Sequence, residues 1–69
     1  MLIYGNNPVF EYLKNRPDDI KVIFTADEKK FNKIQNTYRA QIKLIDKKSL
    51  DRMLNNPDST HQNIAAEIN

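Results

Sequence analysis

The chain has 69 residues, enough for one small domain, and a domain this short buries only about 60% of the surface its unfolded chain exposes. With 39% hydrophobic and 29% charged residues it reads as a folded chain rather than a disordered tail, and without cysteine it excludes disulfides and thiolate zinc sites. Eleven basic residues against nine acidic ones give a net charge of +2, which permits a nucleic-acid partner without specifying one.

Ile3-Tyr4 ahead of Gly5 predicts a brief strand entering a tight turn. Asn7-Pro8 predicts a helix start, because Asn caps orphan N–H groups and Pro needs no donor in the first turn. Val9, Tyr12 and Leu13 share one face of that helix, and the turn residues 15–19 end it. The run 20–24 is β-branched and apolar, a buried strand. Thr25 or Asp27 can cap a second helix whose stripe is Phe31, Ile34 and Tyr38. The alternation in 41–45 predicts a half-buried strand. Asp46 or Ser49 then starts a third helix with Leu50, Met53 and Leu54 on its buried stripe. Residues 55–60 form a loop by composition. The segment 61–68, carrying Ile64, Ala65, Ala66 and Ile68, reads as a last strand.

Strand and helix alternate and the order closes on a strand. This predicts an α/β fold with a small, mostly parallel sheet and helices on both faces. No internal repeat or linker divides residues 1–69, so the expectation is a single domain. The apolar run Leu2-Ile3-Tyr4 is too short for a signal peptide, and no stretch approaches the roughly 20 apolar residues of a membrane span. The expectation is therefore a cytoplasmic chain with no membrane partner.

Catalytic chemistry is sparse. One histidine and no cysteine remove most nucleophile–base pairs and most metal clusters. Ser49 and Ser59 lack a Gly-x-Ser-x-Gly context, and the sole glycine, Gly5, cannot build a phosphate-cradling loop. Asp18, Asp19, Asp27, Glu28 and Asp46 stand where caps and turns are expected. The residues assign no catalytic, cofactor-binding or metal-binding role to this chain.

Two segments carry a resemblance. One is Ile3-Tyr4-Gly5-Asn6-Asn7-Pro8-Val9-Phe10-Glu11-Tyr12-Leu13; the other is His61-Gln62-Asn63-Ile64-Ala65-Ala66-Glu67. In this order and at this spacing the chain resembles, over nearly its whole length, the N-terminal substrate-binding domain of SpoU-type (TrmH-family) RNA 2′-O-methyltransferases. Among these it is most similar to the modifiers of guanosine in bacterial ribosomal RNA. Asn63 stands where the family usually has Gly, and Tyr12 where Ala is common. The resemblance implies an α/β/α sandwich similar to kink-turn-binding ribosomal proteins, gripping RNA, in particular large-subunit ribosomal RNA. It also implies a separate C-terminal knotted domain that binds S-adenosylmethionine, catalyses methyl transfer and makes the parent a homodimer. Kink-turn specificity is not carried over, because Gly5-Asn6-Asn7 is followed by Pro8, with the acid only at Glu11.

The candidate RNA-binding residues are Asn6, Asn7, Lys29, Lys30, Lys33, Arg39, His61 and Gln62. Asn6 and Asn7 can meet phosphate at a helix N-terminus, or Asn7 is only a cap and Asn6 a turn residue. Lys29, Lys30, Lys33 and Arg39 can track a phosphate backbone, or form an ordinary solvated face. His61 can stack on a base and Gln62 read a base edge, or both can bond neighbouring backbone. Glu11, an anion, is expected to be structural, and Tyr4, Phe31 and Tyr38 to be core. A domain that only packs on its catalytic partner remains the alternative to RNA recognition.

Overall fold

The computed structural model describes residues 1–55 and 62–69. In chain order the elements are β1 (Leu2–Tyr4), α1 (Asn6–Asn15), a single 3-10 turn (Pro17–Asp19), β2 (Ile20–Thr25), α2 (Glu28–Thr37), β3 (Ile42–Leu44), α3 (Lys47–Leu54) and β4 (Ile64–Ile68). Each predicted strand and helix of the described residues is present. Backbone bonds from Ile23 N–H to the Gln41 carbonyl and from Ile45 N–H to the Thr25 carbonyl extend the β3 pairing over the whole predicted run.

The four strands form one sheet in the order β1-β4-β2-β3. β4 is antiparallel to both β1 and β2, and β2 is parallel to β3. Three strands therefore point the same way, as the strand–helix alternation requires. The expectation of a mostly parallel sheet nevertheless needs correction at the level of pairing. The last strand enters the middle of the sheet against the others, so it is mixed, with only β2 and β3 bonded in parallel. Register follows from burial. Ile64, Ala66 and Ile68 on β4 must face a core, and they do so beside Ile3 and Ile23.

Val9 and Leu13 of α1 and Ile34 of α2 close that core on the first face of the sheet, with Phe10, Tyr12, Tyr38 and Ile42 packed around it. Right-handed crossovers from β1 to β2 and from β2 to β3 place both helices on this side. Ala65 alternates to the opposite face. There Leu50 of α3 is the other fully buried apolar side chain outside the first core, so α3 covers the second face. The domain is a three-layer sandwich with two helices on one face and one on the other.

Two expectations about the core are corrected. Met53 is 40% exposed, because on the short α3 only Leu50 is fully buried, with Leu54 half-buried. Tyr4 is 43% exposed, because its register partner is Ala65, which puts its ring on the second face rather than in the main core.

Candidate nucleic-acid interface

The topology brings both motif segments to one pole of the sheet. β1, β2 and β3 all end at this pole, so α1, α2 and α3 all begin there, and β4 starts there. Ligands of open α/β sheets characteristically sit at this end, outside the carboxyl ends of the strands.

Gly5 leaves β1 with φ 96° and ψ 155°, a conformation essentially reserved for glycine. Its N–H donates to the Ile64 carbonyl at 3.0 Å, which locks the β1 exit to the β4 entrance. α1 then starts at Asn6, one residue earlier than the Asn-Pro signal suggests, and Gly5 holds the cap position with no side-chain bond. The expectation that Asn7 caps the helix is thereby corrected: Asn7 already lies inside the first turn, exposed to solvent.

The cap comes instead from the other motif. Gln62 Oε1 accepts from Asn6 N–H at 2.8 Å, across 56 positions of sequence. Gln62 and Asn63 both adopt left-handed backbone, φ 53° and 61°. Asn is among the few non-glycine residues that tolerate this region, which accounts for Asn63 where the family usually has Gly. The Asn63 carbonyl accepts from Thr25 Oγ1 at 2.6 Å and from Ala26 N–H at 3.1 Å. Thr25, fully buried, also accepts from Asp27 N–H at 3.1 Å. The turn before β4 is thus stitched to the end of β2 and, through Lys30 Nζ donating to the Gln62 carbonyl, to the first turn of α2.

The three helix N-termini differ electrostatically. Asp27 accepts from the N–H groups of Lys29 (2.9 Å) and Lys30 (3.3 Å), so its own carboxylate fills the α2 end. Asp46 does the same for α3 through Ser49 N–H at 3.3 Å. Hydrogen bonds from Ser49 hold the Asp46 carboxyl below the usual carboxylate range. α1 has no acidic residue in its first turn. Among the described residues its positive end meets the neutral amide oxygen of Gln62, whose own carbonyl accepts from Lys30 Nζ. Among the described residues the Asn6 Oδ1 atom is buried without a hydrogen-bond partner, and Asn7 N–H has no acceptor. Among the described residues α1 is the end of the three without a carboxylate, and its N–H groups and dipole, not the Asn6 Oδ1 acceptor, are what would favour an anion.

The structure therefore joins Asn6, Lys30 and Gln62 directly, with Asn7 and Lys29 in the adjoining first turns of α1 and α2. Lys33 lies one turn further along α2, with its ammonium 5.6 Å from the centroid of the Phe10 ring on α1. Arg39 follows the C-terminus of α2, about 15 Å from the pole by helix rise, and is not brought together with the others. His61 lies outside the described residues. Glu11 is a local structural partner, accepting from Asn15 Nδ2 at 2.8 Å. Phe31 and Tyr38 are half-buried. Sequence reasoning singled out Gln62 but not its role as a cap, and it took Thr25 only as a candidate helix cap. For Thr25 the available signal was its place two residues before the Asp27 cap.

The described residues form an α/β/α sandwich with a polar, cation-flanked pole. The family comparison defines it further. Residues 2–69 match the family described as RNA 2′-O ribose methyltransferase substrate binding, and the chain belongs to this family. No curated protein and no solved structure matches the chain.

Proposed function

We propose that this domain docks structured RNA at the pole formed by Asn6, Asn7, Lys29, Lys30 and Gln62. It would do so for a separate C-terminal catalytic domain that methylates one ribose 2′-hydroxyl. The observation that carries the reading is the Gln62–Asn6 bond together with the Lys30–Gln62 contact: the two segments that mark the family meet in one surface, at a helix N-terminus that, among the described residues, carries no carboxylate. Recognition would run through phosphate and shape, because side chains cannot enter the deep groove of A-form RNA. Large-subunit ribosomal RNA, a guanosine target, a bacterial cytoplasmic setting and a homodimeric parent rest on the resemblance of the two motifs.

The implied methyl donor, S-adenosylmethionine, is assigned by the same resemblance to the separate catalytic domain, and no residue of this domain is proposed to hold it.

The test is fluorescence anisotropy of the chain with a labelled large-subunit ribosomal RNA stem-loop at low and moderate salt. Binding should weaken with salt by about 0.7–0.9 log units per phosphate contact for each tenfold rise. Lys29→Gln should lower that slope by about one contact, whereas Arg39→Gln should leave it unchanged. No binding at low salt, or an equal effect of Arg39→Gln, would reject the pole as the RNA surface.

A further inference from the structure

The outer strands of the sheet are β1 and β3, and each has a neighbouring strand on one side only. On β1, Ile68 N–H donates to the Met1 carbonyl at 2.8 Å and Gly5 N–H to the Ile64 carbonyl at 3.0 Å. Antiparallel bonding alternates, so Met1, Ile3 and Gly5 turn their backbone groups to β4, and Leu2 and Tyr4 turn theirs outward. Among the described residues no hydrogen bond engages those outward groups. Met1 is 73% and Tyr4 43% exposed, at the two ends of this edge.

Proteins commonly guard an open edge with charge. β3 does so with exposed Lys43, whereas Leu2-Ile3-Tyr4 carries no charge. Phe10 of α1 turns towards α2, where the Lys33 ammonium meets it. Tyr12 lies about 200° further round α1, on the side away from α2 and towards the β1 edge, with Pro8 one turn before it. Two cations near by are already engaged. Arg16 pairs with Asp19 at 3.2 Å and lies over the Tyr12 ring, and the Met1 ammonium donates to the Ile68 carbonyl at 3.1 Å.

We propose that the β1 edge is a pairing surface for a second copy of this chain. A two-fold axis normal to the sheet at Ile3 sets the two β1 strands antiparallel, with Leu2 opposite Tyr4 of the second copy and Ile3 opposite its twin. The outward groups of Leu2 and Tyr4 then bond reciprocally, two sheets become one, and the two α1 helices flank the axis through Tyr12 and Pro8. Like charges do not meet, because Glu67, beside Leu2 on β4, shares its row with Tyr4 and Ala65 of the second copy. The same pairing at β3 would set Lys43 against Lys43, a destabilising arrangement. RNA would find both cations of the β1 edge engaged. A three-residue strand makes a small contact of the weak, reversible class. The edge is separate from the pole and does not depend on the RNA reading.

Sedimentation equilibrium and amide hydrogen exchange of the chain, from micromolar to millimolar concentration, test this. The 8.1 kDa species should move towards twice its mass, and exchange at Leu2 and Tyr4 should slow with concentration while exchange at Ile42 and Leu44 does not. Tyr4→Pro removes only an outward N–H, which an edge strand tolerates, and should abolish the dimer. Leu44→Pro, the matching change on β3, should leave it intact. If Tyr4→Pro fails to fold, the exchange pattern of the unaltered chain decides alone. A single 8.1 kDa species at millimolar concentration, a dimer that Tyr4→Pro retains, or Leu2 and Tyr4 amides protected equally at every concentration would overturn the proposal. So would slowing of the same amides by an oligoribonucleotide and not by the chain itself.

Discussion

Gln62 is the residue whose replacement separates stability from RNA affinity. In Gln62→Ala the α1 N-terminus loses the acceptor of Asn6 N–H, while the left-handed backbone at position 62 is retained. Losing a cap of this kind costs about 0.5–2 kcal/mol, and an exposed bond belongs near the middle of that range, about 1 kcal/mol. For a domain of this size 1 kcal/mol lowers Tm by about 4–8 °C. Thermal unfolding by circular dichroism reads that shift, and hydrogen exchange at the Asn6 amide reads the local opening. Gln62→Glu behaves differently. The carboxylate keeps the acceptor and adds a negative charge at a helix N-terminus beside Lys30, so stability should be kept or should rise by about 0.3–1 kcal/mol. The same charge occupies the place where phosphate would approach, so RNA affinity should fall even as Tm holds. An unchanged Tm and unchanged Asn6 exchange in Gln62→Ala would show that the Gln62 cap carries no stability. Undiminished RNA binding in Gln62→Glu would move the RNA contact away from the α1 end.

Three further outcomes follow from the same geometry. Gly5→Ala should destabilise the domain by about 1–3 kcal/mol in urea unfolding, entirely through the backbone, because the new Cβ would meet its nearest neighbours at an ordinary 3.6 Å. At position 63, φ 61° makes Asn63→Gly more stable than Asn63→Ala by about 1–2 kcal/mol in the same assay. For Asp46, whose folded-state carboxyl lies below its ordinary value of 3.8, the contribution to stability is present above that value and is lost as pH falls through the lower folded one. Ser49→Ala should raise the Asp46 titration midpoint towards 3.8 in an NMR titration, and an unmoved midpoint would discount the Ser49 bond.

The elements were legible in the sequence because each has a local cause. β2 and β4 are runs of β-branched or small apolar residues, α2 has its Asp27 cap and its stripe, and the turns are marked by Pro17, Gly5 and Asn55. Pairing was not legible, because nothing local to 64–68 says that this strand enters between β1 and β2 in the opposite sense. Its four buried positions carry the signal of a central strand, but such a run is equally consistent with a parallel one. The same gap hid the cap of α1. Asn7-Pro8 is a sound local signal, yet a side chain 56 positions away supplies the acceptor, and a local reading cannot see it. Tyr4 was misplaced because a three-residue strand gives too little alternation to tell one face of the sheet from the other.

The insertion of β4 also explains how two motif segments so far apart in sequence come to share one pole. A strand that runs against its neighbours starts where they end, so the turn before it reaches the helix N-termini, and Gln62 and Asn63 become part of the polar pole. The same strand, being central, shows alternate residues to the two faces: Ile64, Ala66 and Ile68 to the two-helix core, Ala65 and Glu67 to the α3 side. Ala65 is buried on that side and Glu67 half-buried.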